Sequence, residues 1–172
     1  ALPKWTELYT HCKAGNGNIL KDGITMYKSF AKKAESEEKK KEYNEKIVTM
    51  MQERIDCYGN KVRSKTKLKY AGYRYYNLGK YFYKEMEDYP RALEAFDKSM
   101  ELDGNKVEKN LLTYYAFMTV KQFKAEEIDA ETARATHDKL MELMDSDLAT
   151  YEDTKVAVAD EFAKIARDIF DC

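Results

Sequence analysis

The sequence predicts an all-α fold of tandem antiparallel helical hairpins, and three observations carry that prediction. Two prolines and seven glycines leave few helix breaks in 172 residues. Apolar residues recur at helical spacing along most of the chain. The breaks that do occur are short, so consecutive helices fold back on one another. Hydrophobic residues at 44% and aromatics at 13% supply apolar surface for a core despite 35% charged residues.

A terminal helix is expected over 3–13, with Trp5, Leu8 and Cys12 on one stripe, ending at the turn GNGN, Gly15 to Asn18. The first hairpin covers 19–58. Its first arm carries Ile24, Tyr27, Phe30, Ala31 and Ala34 at helical spacing. Its second starts at Ser36, a cap followed by acidic residues, and runs through Tyr43, Ile47, Met50, Met51, Arg54 and Ile55 to Gly59. The second hairpin covers 65–103: a helix from Lys65 to about Met86, a break at EDYP, and a helix with Pro90 in its first turn ending before DGN. The third covers 106–145, its arms joined by KAEEI. A last helix occupies 148–171 and runs capless into DIFDC, which predicts that the chain is part of a longer protein.

The net charge of −1 gives no general attraction to nucleic acid. It is unevenly spread: residues 1–70 sum to +7 and residues 71–172 to −8. The first reading is two solvated faces; the functional alternative is an acidic partner at the basic end. The Lys39, Lys40, Lys41 run reads as a solvated helix face. No apolar run is long enough to span a membrane, and the start ALPKWTELYTHC lacks the order of a signal peptide. Cys12, Cys57 and Cys172 form an odd set without CxxC spacing. A Cys12–Cys57 disulfide is the pair an oxidising compartment would allow, but buried free thiols are the expectation.

Catalytic chemistry finds no support. His11 and His137 lie far apart with no serine or cysteine elbow, so no nucleophile has a base in reach. DSDLATYED, Asp145 to Asp153, lacks the central glycine of a calcium loop and suits a helix start, with Asp147 as cap. GNGN is followed by neither GKS nor GxGxxG, so it is a turn and not a phosphate loop. No enzyme, cofactor or metal site is expected.

One repeat pattern stands out. Tyr75, Leu78, Gly79 and Phe82 are followed by Ala92, Phe96 and Gly104, and DYPRALEAFDKSMELDGN supplies the second helix almost letter for letter. This resembles the tetratricopeptide repeat (TPR) family over about 35 residues, with one residue inserted near Glu85 and Gly104 where proline is usual. In the third hairpin Leu112, Tyr115, Ala116 and Thr119 fall on the first-helix pattern. The resemblance implies a TPR-like right-handed superhelix (α-α superhelix) forming a single domain over 1–172, whose concave groove binds a peptide or partner protein.

Packing physics agrees with those letters. Gly79 and Ala92 allow two helices to approach closely, while Tyr75, Leu78, Phe82, Leu93 and Phe96 fill the surrounding space. Tyr75 and Phe82 are therefore expected in the core, where truncation costs about 3–5 kcal/mol. Tyr73, Tyr76 and Tyr83 fall with Asn77, Lys80 and Lys84 on the groove face that the resemblance implies; Asn110, Thr113, Tyr114, Phe117 and Lys121 match them in the third hairpin. These are the candidate partner-binding residues, since tyrosine offers a large rigid surface and a hydroxyl. Packing between neighbouring repeats is the competing reading. The carboxylate clamp of some TPR domains is not expected, because only Asn77 occupies such a place and KVEKNLLTYYAFM lacks the basic pair.

DGITMYKSFAKKAE, followed by MMQERIDCYGN, is similar to the start of TPR proteins that Bacteroidetes bacteria place in the cell envelope. That resemblance implies an exported protein, its signal removed, acting in envelope assembly or secretion. The function expected is a non-catalytic protein-binding scaffold. The alternatives are a glycan- or small-ligand-binding module, with aromatics stacking on sugars, and a self-assembling structural piece.

Overall fold

The computed structural model describes residues 2–12 and 15–170 and is all-helical, with no β-strand among those residues. The helices are α1 (Leu2–Cys12), α2 (Gly17–Lys32), α3 (Glu37–Tyr58), α4 (Tyr70–Tyr81), α5 (Tyr89–Asp103), α6 (Lys109–Lys124), α7 (Ala130–Asp145), α8 (Leu148–Ala163) and the short α9 (Ala166–Ile169). Local chemistry sets four of the starts. The side chains of Asn16, Ser36, Asp88 and Asp129 accept from the backbone N–H groups of Asn18, Lys39, Arg91 and Thr132, at 3.0, 3.1, 3.2 and 2.8 Å. Each satisfies a donor that a helix leaves unpaired in its first turn. Glu37 and Glu38 follow Ser36 where the helix dipole favours negative charge. Asp147 stands at the start of α8, but its side chain makes no capping bond; it faces Lys106 Nζ at 3.9 Å.

Three elements depart from expectation. The second hairpin begins at Tyr70, not Lys65, because residues 59–69 form a hairpin-like excursion closed by a single isolated bridge. Val62 bridges Lys69, Arg63 N–H donates to Leu68 O at 2.7 Å, and Tyr70 N–H donates to Lys61 O at 2.8 Å. Lys67 turns it with a φ of 62°. Next, α4 does not run to Met86 as an α-helix; Phe82–Met86 is a π-helical turn. A π turn holds one more residue than an α turn, so it absorbs the insertion read near Glu85. Glu87, at φ 51°, ends it. Finally, the terminal helix breaks between α8 and α9, with Phe162, Ile165 and Ile169 all buried across the break.

The contacts group the chain into two compact units, Ala1–Leu78 and Gly79–Cys172. In the first, α2 and α3 form the main hairpin, and Leu20, Met50 and Tyr58 centre a core against which Trp5, Tyr9, Ile24 and Tyr27 pack. Trp5 stacks on Tyr9 at 4.9 Å and its indole N–H donates to Ile19 O at 2.9 Å. Cys57 is an exposed free thiol, not a buried one, because it falls on the solvent side of α3. The side chain of Cys12, the side chain of His11 and all of Cys172 lie outside the described residues.

In the second unit α6, α7 and α8 pack on one another, and α5 packs on α6. Phe96, Leu111, Leu112, Met118, Leu140, Met144, Tyr151 and Phe162 are completely enclosed; burying one such side chain contributes about 1.5–3 kcal/mol. Gly79 permits the closest approach: a Cβ there would lie 2.5 Å from Phe96 Cδ1 and 3.0 Å from the carbonyl oxygen of Ala92. Gly104 stands where the repeat pattern prefers proline because its φ is +57°, a value that proline's ring forbids.

Candidate binding surface

The nine candidate partner-binding residues divide between the units. Tyr73, Tyr76 and Asn77 belong to the first. Tyr76, expected on the groove, is only 6% exposed, whereas Tyr75, expected in the core, is half-buried. The two are consecutive, about 100° apart on α4, and the buried face is wide enough to take Tyr76 while Leu78 and Phe82 stay buried as expected. Tyr76 is therefore removed from the accessible set. The Tyr73 ring carries the Arg63 guanidinium 4.6 Å from its centroid, and the Asn77 amide donates to Tyr73 O at 2.8 Å within its own helix. In the same unit Trp5, Tyr9, Tyr27 and Lys46 wall a cleft of about 220 Å³, but the Tyr9 hydroxyl is held by Glu53 at 2.7 Å.

In the second unit the structure brings four of the candidates together. Tyr83, in the π turn, meets Tyr114 of α6 at a centroid distance of 4.9 Å and Phe117, one helical turn further, edge-on at 6.0 Å. Tyr114 also stacks on the buried Phe96 at 6.4 Å, which ties the cluster to the core. Lys84 lies over the Tyr114 ring at 5.0 Å. Phe117 is 38% exposed, between the buried Ala116 and Met118 of α6, an unusual position for a phenylalanine. Asn110 sits exposed at the start of α6, and Lys80 is half-buried at the end of α4.

One member escaped sequence reasoning. Tyr89, read as part of a break, opens α5 beside Pro90 and lies 6.1 Å from Tyr83. Lys121 Nζ donates to the Tyr89 hydroxyl at 2.6 Å and sits 4.6 Å from its ring centroid. The available signal was an aromatic directly before a helix-initiating proline, pointing back along the preceding helix.

Electrostatics fix the protonation of this surface. Burial first, then the neighbouring phenols of Tyr89 and Tyr114, push the Tyr83 hydroxyl above its ordinary pKa, so it stays neutral. Hydrogen bonds to Tyr114 and Tyr89 raise Lys84 and Lys121, so both remain ammonium ions. The result is an apolar patch of four rings with a positive charge anchored on each flank. Such a patch suits an apolar or aromatic side chain next to a carboxylate. Elsewhere His137 is held by Asp138 at 2.8 Å and by the rings of Phe162 and Phe170. No cluster of metal-ligating side chains occurs among the described residues, and no described helix is long and apolar enough to cross a membrane.

Comparison with protein-family models, curated proteins and solved structures found no match to the chain.

Proposed function

We propose that this chain is a non-catalytic TPR-like scaffold that binds a peptide segment of a partner protein at the surface formed by Tyr83, Lys84, Tyr89, Tyr114, Phe117 and Lys121. The observation that carries the reading is the convergence of three aromatic rings on Tyr83, with Phe117 left 38% exposed and a lysine over each of Tyr114 and Tyr89. The rings are already packed on one another and on Phe96, so ordering them on binding costs little entropy. Rigid aromatics of this kind are what binding hot spots are made of. The flanking ammonium groups select a segment carrying an aromatic or aliphatic anchor and an acidic neighbour. A role in envelope assembly or secretion, which one resemblance implies, fits a scaffold that holds a partner without transforming it.

The test is an affinity pull-down from native envelope extract with the wild type and a Phe117→Ala, Lys84→Ala double variant, with helix content checked by circular dichroism. Both side chains are exposed, so the fold should survive. The reading predicts a partner retained by the wild type and lost by the variant. Identical partners on both would remove this surface from consideration.

A further inference from the structure

We propose that the first unit carries a second site, an oxyanion site for a phosphate- or sulfate-type group, built by Arg54 and Arg74 together with the basic excursion at 59–69. The sequence bears a one-sided charge pattern here. Between Asp56 and Glu85 there is no acidic residue, while Lys61, Arg63, Lys65, Lys67, Lys69 and Arg74 all fall before the unit ends at Leu78. Residues 1–78 hold 17 basic against 9 acidic side chains.

The structure makes the pattern costly. Arg74 Nη1 donates to the backbone oxygen of Arg54 at 2.5 Å, so the two arginines are neighbours on adjacent helices. Both are half-buried. No carboxylate is among the groups that act on Arg74, and Arg54 Nε is buried without a hydrogen bond. The groups that face Arg74 are Arg54 and the phenols of Tyr58 and Tyr70, its guanidinium lying 5.9 and 5.1 Å from those rings. Lys61 Nζ also lies over the Tyr58 ring, 4.9 Å from its centroid. Burial, with the charge of Arg54 second, lowers the proton affinity of Arg74.

Like charges gathered in a partly desolvated place destabilise the fold unless an anion compensates them. Aromatic contacts offset only part of that cost. Natural proteins keep such local conflicts where function requires them. The guanidinium fork matches two oxygens of a tetrahedral oxyanion, and the lysines raise the local anion concentration around it. The backbone of the excursion that carries them is fixed by its own hydrogen bonds. This site is separate from the aromatic surface and does not depend on it.

The experiment is an amide NMR titration of the full chain with inorganic phosphate and with glucose 6-phosphate, against sodium chloride at matched ionic strength. The proposal predicts saturable shifts confined to residues 54–74 with either phosphate and none with chloride. Tighter binding of the ester would assign the natural ligand as a phosphorylated molecule, and tighter binding of the inorganic ion would assign the free anion. Arg74→Gln should weaken binding by about tenfold or more, as expected on losing charge-assisted bonds, and Arg74→Lys should keep part of it. Should Arg74→Gln fail to fold, Lys65→Ala, Lys67→Ala decides; both residues sit exposed at the tip of the excursion and their loss should weaken binding about twofold or more. Shifts that track ionic strength alone, or undiminished affinity in the folded variants, would overturn the proposal.

Discussion

Tyr151 shows how a single side chain in this protein ties elements together. Its ring is completely enclosed, and its hydroxyl shares its one proton between the carbonyl oxygens of Asn105 and Val107, at 2.8 and 2.9 Å, holding the segment before α6. Burial, with the charge of Asp147 next, pushes the phenol up from 10.0 to about 12. The folded state therefore holds this proton more tightly than the unfolded chain. The hydroxyl's contribution is complete below pH 10 and is lost as pH rises toward 12. Tyr151→Phe should cost about 1–3 kcal/mol at neutral pH, the range for carbonyls losing a buried donor. Urea unfolding across a pH series should also show the variant losing less stability than the wild type between pH 10 and pH 12. Residue-level reading of the sequence was weakest where like stood beside like. Tyr75 and Tyr76 fit the helical pattern about equally, and only their neighbours in space decide which one is buried.

At the scale of elements, a cap is local chemistry, and Ser36 was legible as one; the caps at Asp88 and Asp129 act over the same three residues but were not read, and Asp147, expected to cap α8, makes no capping bond. The excursion at 59–69 was not, because pairing between Val62 and Lys69 depends on backbone bonds across the turn. The π turn was half-legible; the extra residue near Glu85 was visible, but not that the helix would widen to hold it. Two predictions belong here. Gly79→Ala forces Phe96 or the Ala92 backbone to move, and thermal unfolding should show a loss of about 1–3 kcal/mol, typical of overpacking. Glu87→Gly should raise stability by about 0.5–1 kcal/mol, because Glu87 holds a left-handed φ of 51° that glycine adopts without penalty. A lower melting temperature for Glu87→Gly would show that its side chain contributes more than its backbone conformation costs.

At the scale of the whole molecule, the division into two compact units sorts the charge: residues 79–172 carry 13 basic and 22 acidic side chains, the reverse of the first unit. The uneven charge was legible in the sequence, and so was the all-helical class. The grouping of charge and rings into surfaces was not, because α6 and the π turn meet only through the fold. That meeting makes Tyr83, Tyr114 and Phe117 one surface, although 34 residues separate the first from the last. The central claim is that this surface is a peptide-binding site. Its most direct test is selection of peptides from a displayed library on the immobilised protein, followed by amide NMR mapping and affinity measurement of the selected sequences. The account predicts peptides with an apolar anchor beside an acidic residue, shifts centred on residues 83–89 and 114–121, and at least about tenfold weaker binding to Phe117→Ala. Selected peptides that map elsewhere, or bind the folded variant as tightly as the wild type, would contradict it.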